Sequence, residues 1–254
     1  MDEYLSYLAT QIGNRQIFLL NFADDFRTFD ALFSALRAAW ARLGSERDSS
    51  GGSHVGLLPF ANILARHMLV GFQHLSFYQS FLAWLTLRPG LEALLMIGKF
   101  VDDPANAGIW KNRQADWKLY QKTFSGAALE STSLPQSTAF RQVLGHLNDE
   151  FIHPNPNFAY RDATRIDEGN TVLLEIQCFD VGSDIHEAAL LAYLNLLDLI
   201  VGASEGLVRN LCGPPPATTT KETYAKRHLA RATRLASSNS VAKKVMEELG
   251  IWTF

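Results

Sequence analysis

The sequence predicts an all-α protein: a multi-helix bundle with one β-hairpin insertion. Hydrophobic residues make up 47% of the 254 positions and charged residues only 19%, a balance typical of a chain that buries a core. Long segments repeat apolar residues at steps of three and four, which indicates helices, and one stretch alternates with the period of a strand. We expect a bundle domain over 1–213, with the hairpin at about 158–179, and a basic helical tail over 214–254.

The composition also excludes several classes of protein. The net charge of -3 gives no general basic excess for nucleic-acid binding, although a local basic patch stays open. The cysteines, Cys178 and Cys212, are too few for a disulfide scaffold or a cysteine-rich zinc site. The N-terminus lacks the basic and then apolar pattern of a signal peptide. We therefore expect a cytoplasmic protein with no membrane partner.

The first predicted helix covers 17–43, where apolar residues recur at helical spacing. Residues 44–56 follow as a Gly/Ser-rich loop. The aromatic load of this helix exceeds what one small groove covers, which favours a homodimer because large apolar stripes mark interfaces. The aromatic residues concerned are Phe18, Phe22, Phe26, Phe29, Phe33 and Trp40.

A second helix is predicted over 57–87. It is apolar on most sides, as a central helix is, but polar residues such as Arg66, His67 and His74 interrupt it too often for a membrane span. Pro89 suits the first position of a new helix and disfavours α geometry at Arg88, so we expect the chain to bend there.

The remaining elements follow from the same patterns. Helices are predicted over 89–101, 105–124 and 136–152, the last one ended by the prolines after His153. Strict alternation over 171–179 predicts the second strand of the hairpin. A strongly apolar helix over 184–211 is expected to share the centre of the bundle with 57–87.

The sequence holds none of the strong catalytic motifs. It lacks GxGxxG after a strand, a Walker A loop, HExxH and CxxC, which argues against the enzyme classes that use them. Its one GxSxG run, at 202–206, lies inside the helix predicted over 184–211 rather than at the strand-to-helix turn that a nucleophilic serine needs. His67 and His74 share a helical face, but 57–87 contains no acidic residue to complete a bundle metal site. We therefore predict no metal and no cofactor.

Arg88 and Glu92 stand four residues apart, so they lie on one helical face. They form either an ordinary ion pair within the helix or a charged pair at the mouth of a ligand pocket. The two interpretations differ in burial, because a pair at a site faces other helices and a surface pair faces water.

The end of the helix predicted over 136–152 carries Asn148, Asp149 and His153. Asp149 lies one turn before His153 on the same face, where its carboxylate could orient the imidazole ring. The alternative is that His153 only stabilises the C-terminus of its own helix, where a cationic ring is favourable. A structure distinguishes these interpretations through the position of His153 relative to Arg88 and Glu92.

These residues resemble the motif of HEPN proteins, helical bundles whose RNase members carry Arg, a polar residue, three variable residues and His. The run from Asn148 to His153 matches at the polar residue and the histidine, with Asn148 in place of the arginine. The chain is also similar to helical proteins with an Arg-x-x-x-Glu helix and a helix that ends in His-Pro. Arg88, Glu92 and His153 with Pro154 fill those positions, and the resemblance covers 57–211.

The resemblance implies a homodimer in which histidine and arginine meet in a cleft and cut RNA without a metal. His153 would transfer the proton at the ribose 2′-OH. Asn148 carries no charge to stabilise the phosphate, so the donor would be Arg88, Arg141 or Arg161. A second copy of the spacing, from Arg141 to His146, lies in mid-helix and ranks below the first.

We therefore expect a HEPN-like protein that binds a ligand, a nucleotide or a partner at a pocket around His153, Arg88 and Glu92. Asn148, Asp149 and His153 are the catalytic candidates. One alternative is a metal-independent RNase in a defence or toxin–antitoxin context, and another is a non-enzymatic interaction protein. A basic cleft would favour RNA, and an enclosed apolar pocket would favour a small ligand.

Overall fold

The structure is a computed structural model and describes residues 3–45, 54–149, 163–168, 171–176, 178–180, 183–213, 224–240 and 243. Over these residues the fold is helical, with two short strands. The helices are α1 (Glu3–Asn21), α2 (Ala23–Ser45), α3 (Leu58–Ser76), α4 (Ser80–Asp102), α5 (Ala105–Lys111), α6 (Trp117–Phe124), α7 (Ser137–Leu147), α8 (Ser183–Cys212) and α9 (Tyr224–Ser238). The all-α class predicted from composition and periodicity is confirmed.

The core lies where α3, α4 and α8 meet, with α2 packed along α8. Every residue from 188 to 197 of α8 is buried, which explains why this helix is apolar on all sides. Tyr193 of α8 donates a hydrogen bond of 2.5 Å to the carbonyl of Met68 on α3. Gly71 permits this approach, because a Cβ there would stand 2.6 Å from the Tyr193 hydroxyl. The two most apolar stretches of the sequence thus contribute to one core.

The helix boundary expected at Pro89 is wrong. Arg88 and Pro89 lie inside α4, and the break comes earlier, between α3 and α4 at Phe77–Gln79. Tyr78 adopts a φ of +59°, and the amide of Gln79 donates back to the carbonyl of His74. Proline removes one helical hydrogen bond, but a helix that is packed on both sides of the proline tolerates that loss.

Three further boundaries differ from the prediction. The helix predicted over 17–43 begins at Glu3 and is divided at Phe22 into α1 and α2. The helix predicted over 105–124 forms α5 and α6, and the side chain of Asp116 caps α6 by accepting the amide of Leu119 at 3.0 Å. Such N-caps start a new helix because they satisfy an amide that has no helical partner.

Between α7 and α8 the chain forms strands β1 (Ala163–Glu168) and β2 (Thr171–Ile176), paired antiparallel. Ala163 stands opposite Ile176, and Glu168 stands opposite Thr171. The hairpin prediction covered 158–179, and these strands occupy part of that range. The residues that join them lie outside the described part of the chain.

Most aromatic residues of α1 and α2 pack against other parts of the same chain. Phe18, Phe29 and Trp40 are buried, and the Phe29 ring stacks on Phe72 of α3 with the centroids 3.8 Å apart. Phe26 stays partly exposed. The aromatic count therefore does not require a second subunit to cover it, and the predicted homodimer needs a different surface.

The described part of the basic C-terminal region is α9, which packs on α8 with Ala232 and Leu235 buried. Arg231 of α9 donates from Nη1 to both carboxylate oxygens of Asp25, at 2.9 and 3.0 Å. The helix is thus held by both apolar burial and charge.

In the part of the chain that the structure describes, three helical stretches are long and apolar enough to cross a membrane, judged by length and composition alone. They cover Val55–Ser76, Ser80–Asp102 and Asp184–Cys212. The polar residues in 57–87 therefore do not prevent Val55–Ser76 from being long and apolar enough for a membrane span. Cytoplasmic location and the lack of a membrane partner remain predictions.

Candidate functional site

Arg88, Glu92 and Asn148 come together at the edge between α4 and α7, and we name them the Arg88 cluster. The Nε atom of Arg88 donates to Oδ1 of Asn148 at 2.5 Å. Nη1 of Arg88 lies 3.7 Å from Oε2 of Glu92. The side chains of Arg88 and Glu92 are 35% and 36% exposed, so a ligand from solvent can reach them.

Two features of the chain position this cluster. Because α4 continues through Pro89, Arg88 and Glu92 keep the i, i+4 relation of one helix. Helix α7 packs against α4 and buries Phe140, Leu144 and Leu147. Asn148 follows directly after the last of these residues, which brings its amide to the guanidinium of Arg88.

The Arg88 cluster differs from an ordinary surface ion pair in the contacts of its arginine. Arg88 faces another helix and makes its short contact to a neutral amide, whereas its distance to Glu92 is longer than a hydrogen bond. Asn148 holds the guanidinium by one edge and adds no negative charge. A guanidinium held in this way is a suitable partner for a carboxylate or a phosphate.

The other predicted site residues are placed as follows. Asp149 is exposed and continues the helical path after Asn148. His153 lies outside the described residues, and so does Arg161, so their positions relative to the Arg88 cluster stay predictions.

The second copy of the Arg-to-His spacing has a different role. Arg141 contacts Glu130 through Nε, and the other oxygen of Glu130 accepts the hydroxyl of Thr138 at 2.8 Å. The hydrogen bond from Thr138 and the contact with Arg141 hold the pKa of Glu130 below its usual value. Arg141 therefore makes its closest contact with a carboxylate, whereas the closest contact of Arg88 is with the amide of Asn148.

Sequence reasoning missed a buried polar group made of Tyr78, Ser80, Asp180 and His186, which we name the His186 cluster. Asp180 accepts the Ser80 hydroxyl at 2.6 Å and lies 2.7 Å from Nδ1 of His186. The His186 ring is fully buried and stacks on Tyr78, with the centroids 4.1 Å apart. Burial raises the pKa of Tyr78, and the charge of Asp180 raises it further, against a hydrogen bond with Asn21.

The sequence held one signal for this cluster. His186 is the lone histidine in the most apolar stretch of the chain. Such a residue needs a polar partner when it is buried. The partner could not be identified, because Ser80 and Asp180 are 100 residues apart.

A second group of charges, the Arg231 cluster, consists of Asp25, Glu187, Arg231 and Arg234. Glu187 contacts Arg231 Nε and accepts from Nη2 of Arg234 with both oxygens at 2.9 Å. Burial raises the pKa of Glu187, but the bonds from Arg231 and Arg234 outweigh it, so the pKa lies below its ordinary value. Every charge in this cluster has a partner of opposite sign, as in a structural clamp.

Three grooves in the described part of the chain lie away from the Arg88 cluster. Among the described residues, grooves of about 370, 550 and 450 Å³ are lined by residues around Tyr7, Glu187 and Phe29, respectively. In the same part of the chain, no three His, Cys, Asp or Glu side chains meet as a metal site. The Arg88 cluster is thus an open edge, which fits an extended ligand better than an enclosed small molecule.

Comparison with other proteins adds no relative. No family model matches the chain, and neither a curated protein nor a solved structure matches it.

Proposed function

We propose that this chain is a HEPN-like helical protein that binds the phosphate groups of a nucleotide or RNA at the Arg88 cluster. The observation that supports it is the 2.5 Å bond from Arg88 to Asn148. That bond brings the guanidinium of Arg88 next to Asn148, which stands where the HEPN motif has arginine. Arg88 is thus a better candidate for the missing donor than Arg141, which is held by Glu130, and Arg161 stays open as the third candidate.

Metal-independent RNA cleavage is the alternative that the same residues support. In that reaction the ribose 2′ oxygen attacks the adjacent phosphorus, the bond to the 5′ oxygen breaks, and that oxygen takes up a proton. His153 would move the proton and Arg88 would stabilise the charge on the phosphate. Glu92 beside Arg88 weakens the attraction for phosphate, so binding without efficient cleavage is the primary proposal.

The binding test uses a fluorescein-labelled RNA oligonucleotide and AMP as ligands, with EDTA present. We expect Arg88→Ala to weaken binding about tenfold or more, the effect of losing a charged hydrogen bond. Arg141→Ala is the matched control, because it removes an arginine of similar exposure that also pairs with a glutamate. Equal binding by Arg88→Ala and the unsubstituted protein would contradict the proposal.

Cleavage is measured separately with a quenched RNA substrate in EDTA. If the RNase alternative holds, His153→Ala and Arg88→Ala both abolish cleavage, while Arg141→Ala cleaves normally. Absence of cleavage by the unsubstituted protein removes this alternative and leaves the binding proposal intact.

The predicted homodimer remains a proposal, and α1 is the surface that best supports it. Leu5, Ile12 and Leu19 are exposed and seven residues apart, the spacing of a coiled-coil seam. The spacing is symmetric about Ile12, so two antiparallel copies would place each Leu5 on the partner's Leu19. We expect Ile12→Glu to yield a monomer in sedimentation, whereas Leu229→Glu, at an exposed leucine of α9, leaves the dimer intact.

A further inference from the structure

Basic and aromatic side chains are concentrated on one surface formed by α5, α6 and the turn between them. Within 13 residues this segment places four basic side chains against one carboxylate, in a chain whose net charge is -3. We name it the Trp117 surface. Its members are Trp110, Lys111, Arg113, Trp117, Lys118, Tyr120 and Lys122.

Trp117 is the centre of this surface. Its side chain is 54% exposed, an unusual state for so large an aromatic residue. The ring stacks on Tyr120, with centroids 5.1 Å apart and the planes inclined by 30°. Tyr120 in turn contacts Phe124, whose ring packs against Phe100 of α4. The exposed indole therefore rests on a column of rings that is anchored in the core.

A second, half-buried pair of flat groups belongs to the same segment. The guanidinium of Arg113 covers the Trp110 ring at 4.2 Å and donates to the Trp110 carbonyl at 3.0 Å. Trp110 packs edge-on against Phe60 of α3. A flat guanidinium fixed over an aromatic ring can itself stack on a nucleobase or pair with a phosphate.

The lysines form the charged border of this surface. Lys111, Lys118 and Lys122 are exposed, and Lys118 and Lys122 share one face of α6. The one carboxylate, Asp116, is occupied as the N-cap of α6. Lys118 and Lys122 lie about a quarter to a third of a turn round α6 from Trp117, so their charges are available to an extended anionic ligand that also contacts the Trp117 ring.

The Trp117 surface adjoins the Arg88 cluster through Tyr120. Burial raises the pKa of Tyr120, the charge of Glu92 raises it further, and Arg113 opposes both. Tyr120 therefore stands close enough to Glu92 and Arg113 to feel both charges. Helix α5 contacts both α4 and α6, so the Trp117 surface is attached to the helix that carries Arg88 and Glu92.

We infer that the Trp117 surface binds single-stranded nucleic acid, with a base stacked on Trp117 and the neighbouring phosphates on Lys118 and Lys122. Stacking on exposed rings beside cations is the common way to hold single strands, because every base has an aromatic face. An acidic peptide would use the lysines but leave the indole unused. A duplex keeps its bases paired and cannot stack them on Trp117. Binding at the Trp117 surface does not depend on the proposed function. Only the contact of the far end of the strand with the Arg88 cluster rests on it.

The test is fluorescence anisotropy with labelled oligouridine and oligothymidine of about 12 nucleotides, a typical site size for such proteins. Trp117→Ala should weaken binding by about 5- to 150-fold, the range for one stacked base. Trp117→Phe should restore part of the loss, because it keeps an aromatic face. Tyr4→Ala, which removes an exposed aromatic residue of α1, is the matched control and should bind normally.

The lysines are tested by the dependence of binding on salt. The double variant Lys118→Gln/Lys122→Gln should lower the slope of log affinity against log salt by about 1.4, since each phosphate contact on a single strand contributes about 0.7. Arg37→Gln/Arg66→Gln removes two exposed charges from other helices and should leave the slope unchanged. Trp117→Ala should change affinity without changing the slope.

The outcomes separate this inference from the proposed function. Binding that needs Trp117 but not Arg88 supports the Trp117 surface and contradicts the Arg88 proposal. Binding that needs Arg88 but is unchanged in Trp117→Ala overturns the inference, as does failure to bind either oligonucleotide. Equal affinity for a duplex, unaffected by Trp117→Ala, also overturns it. Tighter binding of oligouridine than of oligothymidine would identify RNA as the ligand, because only RNA presents the 2′-OH.

Discussion

The His186 cluster and the Arg88 cluster are both built on α4, yet they differ in burial and in how their polar groups are paired. In the His186 cluster, Asp180 joins Ser80 to a histidine that has no exposed surface. In the Arg88 cluster, a third of the arginine is exposed and its short bond goes to a neutral amide. Buried and mutually paired groups maintain a fold, whereas exposed groups that are held by one edge can receive a ligand. The comparison predicts opposite effects of substitution at the two clusters.

The largest loss of stability is expected for Asp180→Ala. Removing one partner of a buried ionisable pair typically costs about 3 kcal/mol, because the other partner stays buried without compensation. The change also removes the acceptor for both the hydroxyl and the amide of Ser80. Urea unfolding measures the loss.

Asp30→Ala is the control for this substitution, because Asp30 is exposed on α2. It should change the free energy of unfolding by less than about 0.5 kcal/mol. The folded fraction of Asp180→Ala should bind RNA as the unsubstituted protein does. Weakened binding by that fraction would give the His186 cluster a part in ligand recognition and so remove the contrast.

The next largest effect is expected for Arg231→Met, which tests whether the Arg231 cluster belongs with the buried group. The substitution leaves Asp25 buried without its bidentate partner and should cost about 2 kcal/mol, near the value of a charged hydrogen bond. Hydrogen exchange should show α9 opening before the rest of the bundle. Uniform exchange across all helices would mean that α9 does not open as a separate unit.

A smaller, pH-dependent effect follows from Glu187. Because its pKa in the folded state is lowered, the glutamate stabilises the fold fully above its ordinary pKa of 4.5. That contribution is lost as the pH falls through the lowered value. The stability difference between the unsubstituted protein and Glu187→Gln should therefore shrink as the pH is taken from neutral to strongly acidic.

Glu205→Gln serves as the control for the pH series, because Glu205 is an exposed residue of the same helix. Its stability should follow that of the unsubstituted protein at every pH. A Glu187→Gln curve parallel to the unsubstituted protein would show that Glu187 does not link stability to pH.

The smallest effect on stability is expected for Arg88→Ala. Partly exposed ion pairs contribute less than about 1 kcal/mol, so thermal unfolding should change little. The same variant should lose RNA or nucleotide binding. Asp180→Ala should have the opposite effect, with stability lost and binding kept. A large loss of stability in Arg88→Ala would assign the Arg88 cluster a structural role.

The fold class and the central position of the apolar stretches could be predicted from the sequence. A helix that is buried on all sides carries apolar residues on all sides, and this is visible in the sequence. It was insufficient for the break before α4. Proline at 89 is a visible signal, whereas the positive φ of Tyr78 depends on packing that no local pattern reports. The same limit applies to 105–124, where the sequence pattern predicts one helix although the cap at Asp116 divides it.

For the candidate site, spacing along one helix predicted the relation of Arg88 to Glu92 correctly. The contact between Arg88 and Asn148 joins residues 60 positions apart, and their pairing depends on how α7 packs on α4. The Trp117 surface was missed for a related reason. Its aromatic and basic residues form one surface only because the chain turns between α5 and α6.

The bond between Ser80 and Asp180 has a consequence for the nascent chain. The first turn of α4 receives its carboxylate from a residue synthesised 100 positions later. At a translation rate of about 5–20 residues per second, that interval lasts roughly 5–20 seconds. During this time α3 and α4 lack both Asp180 and the apolar face of α8, so a chaperone that shields apolar helices would act on this intermediate rather than on the finished protein.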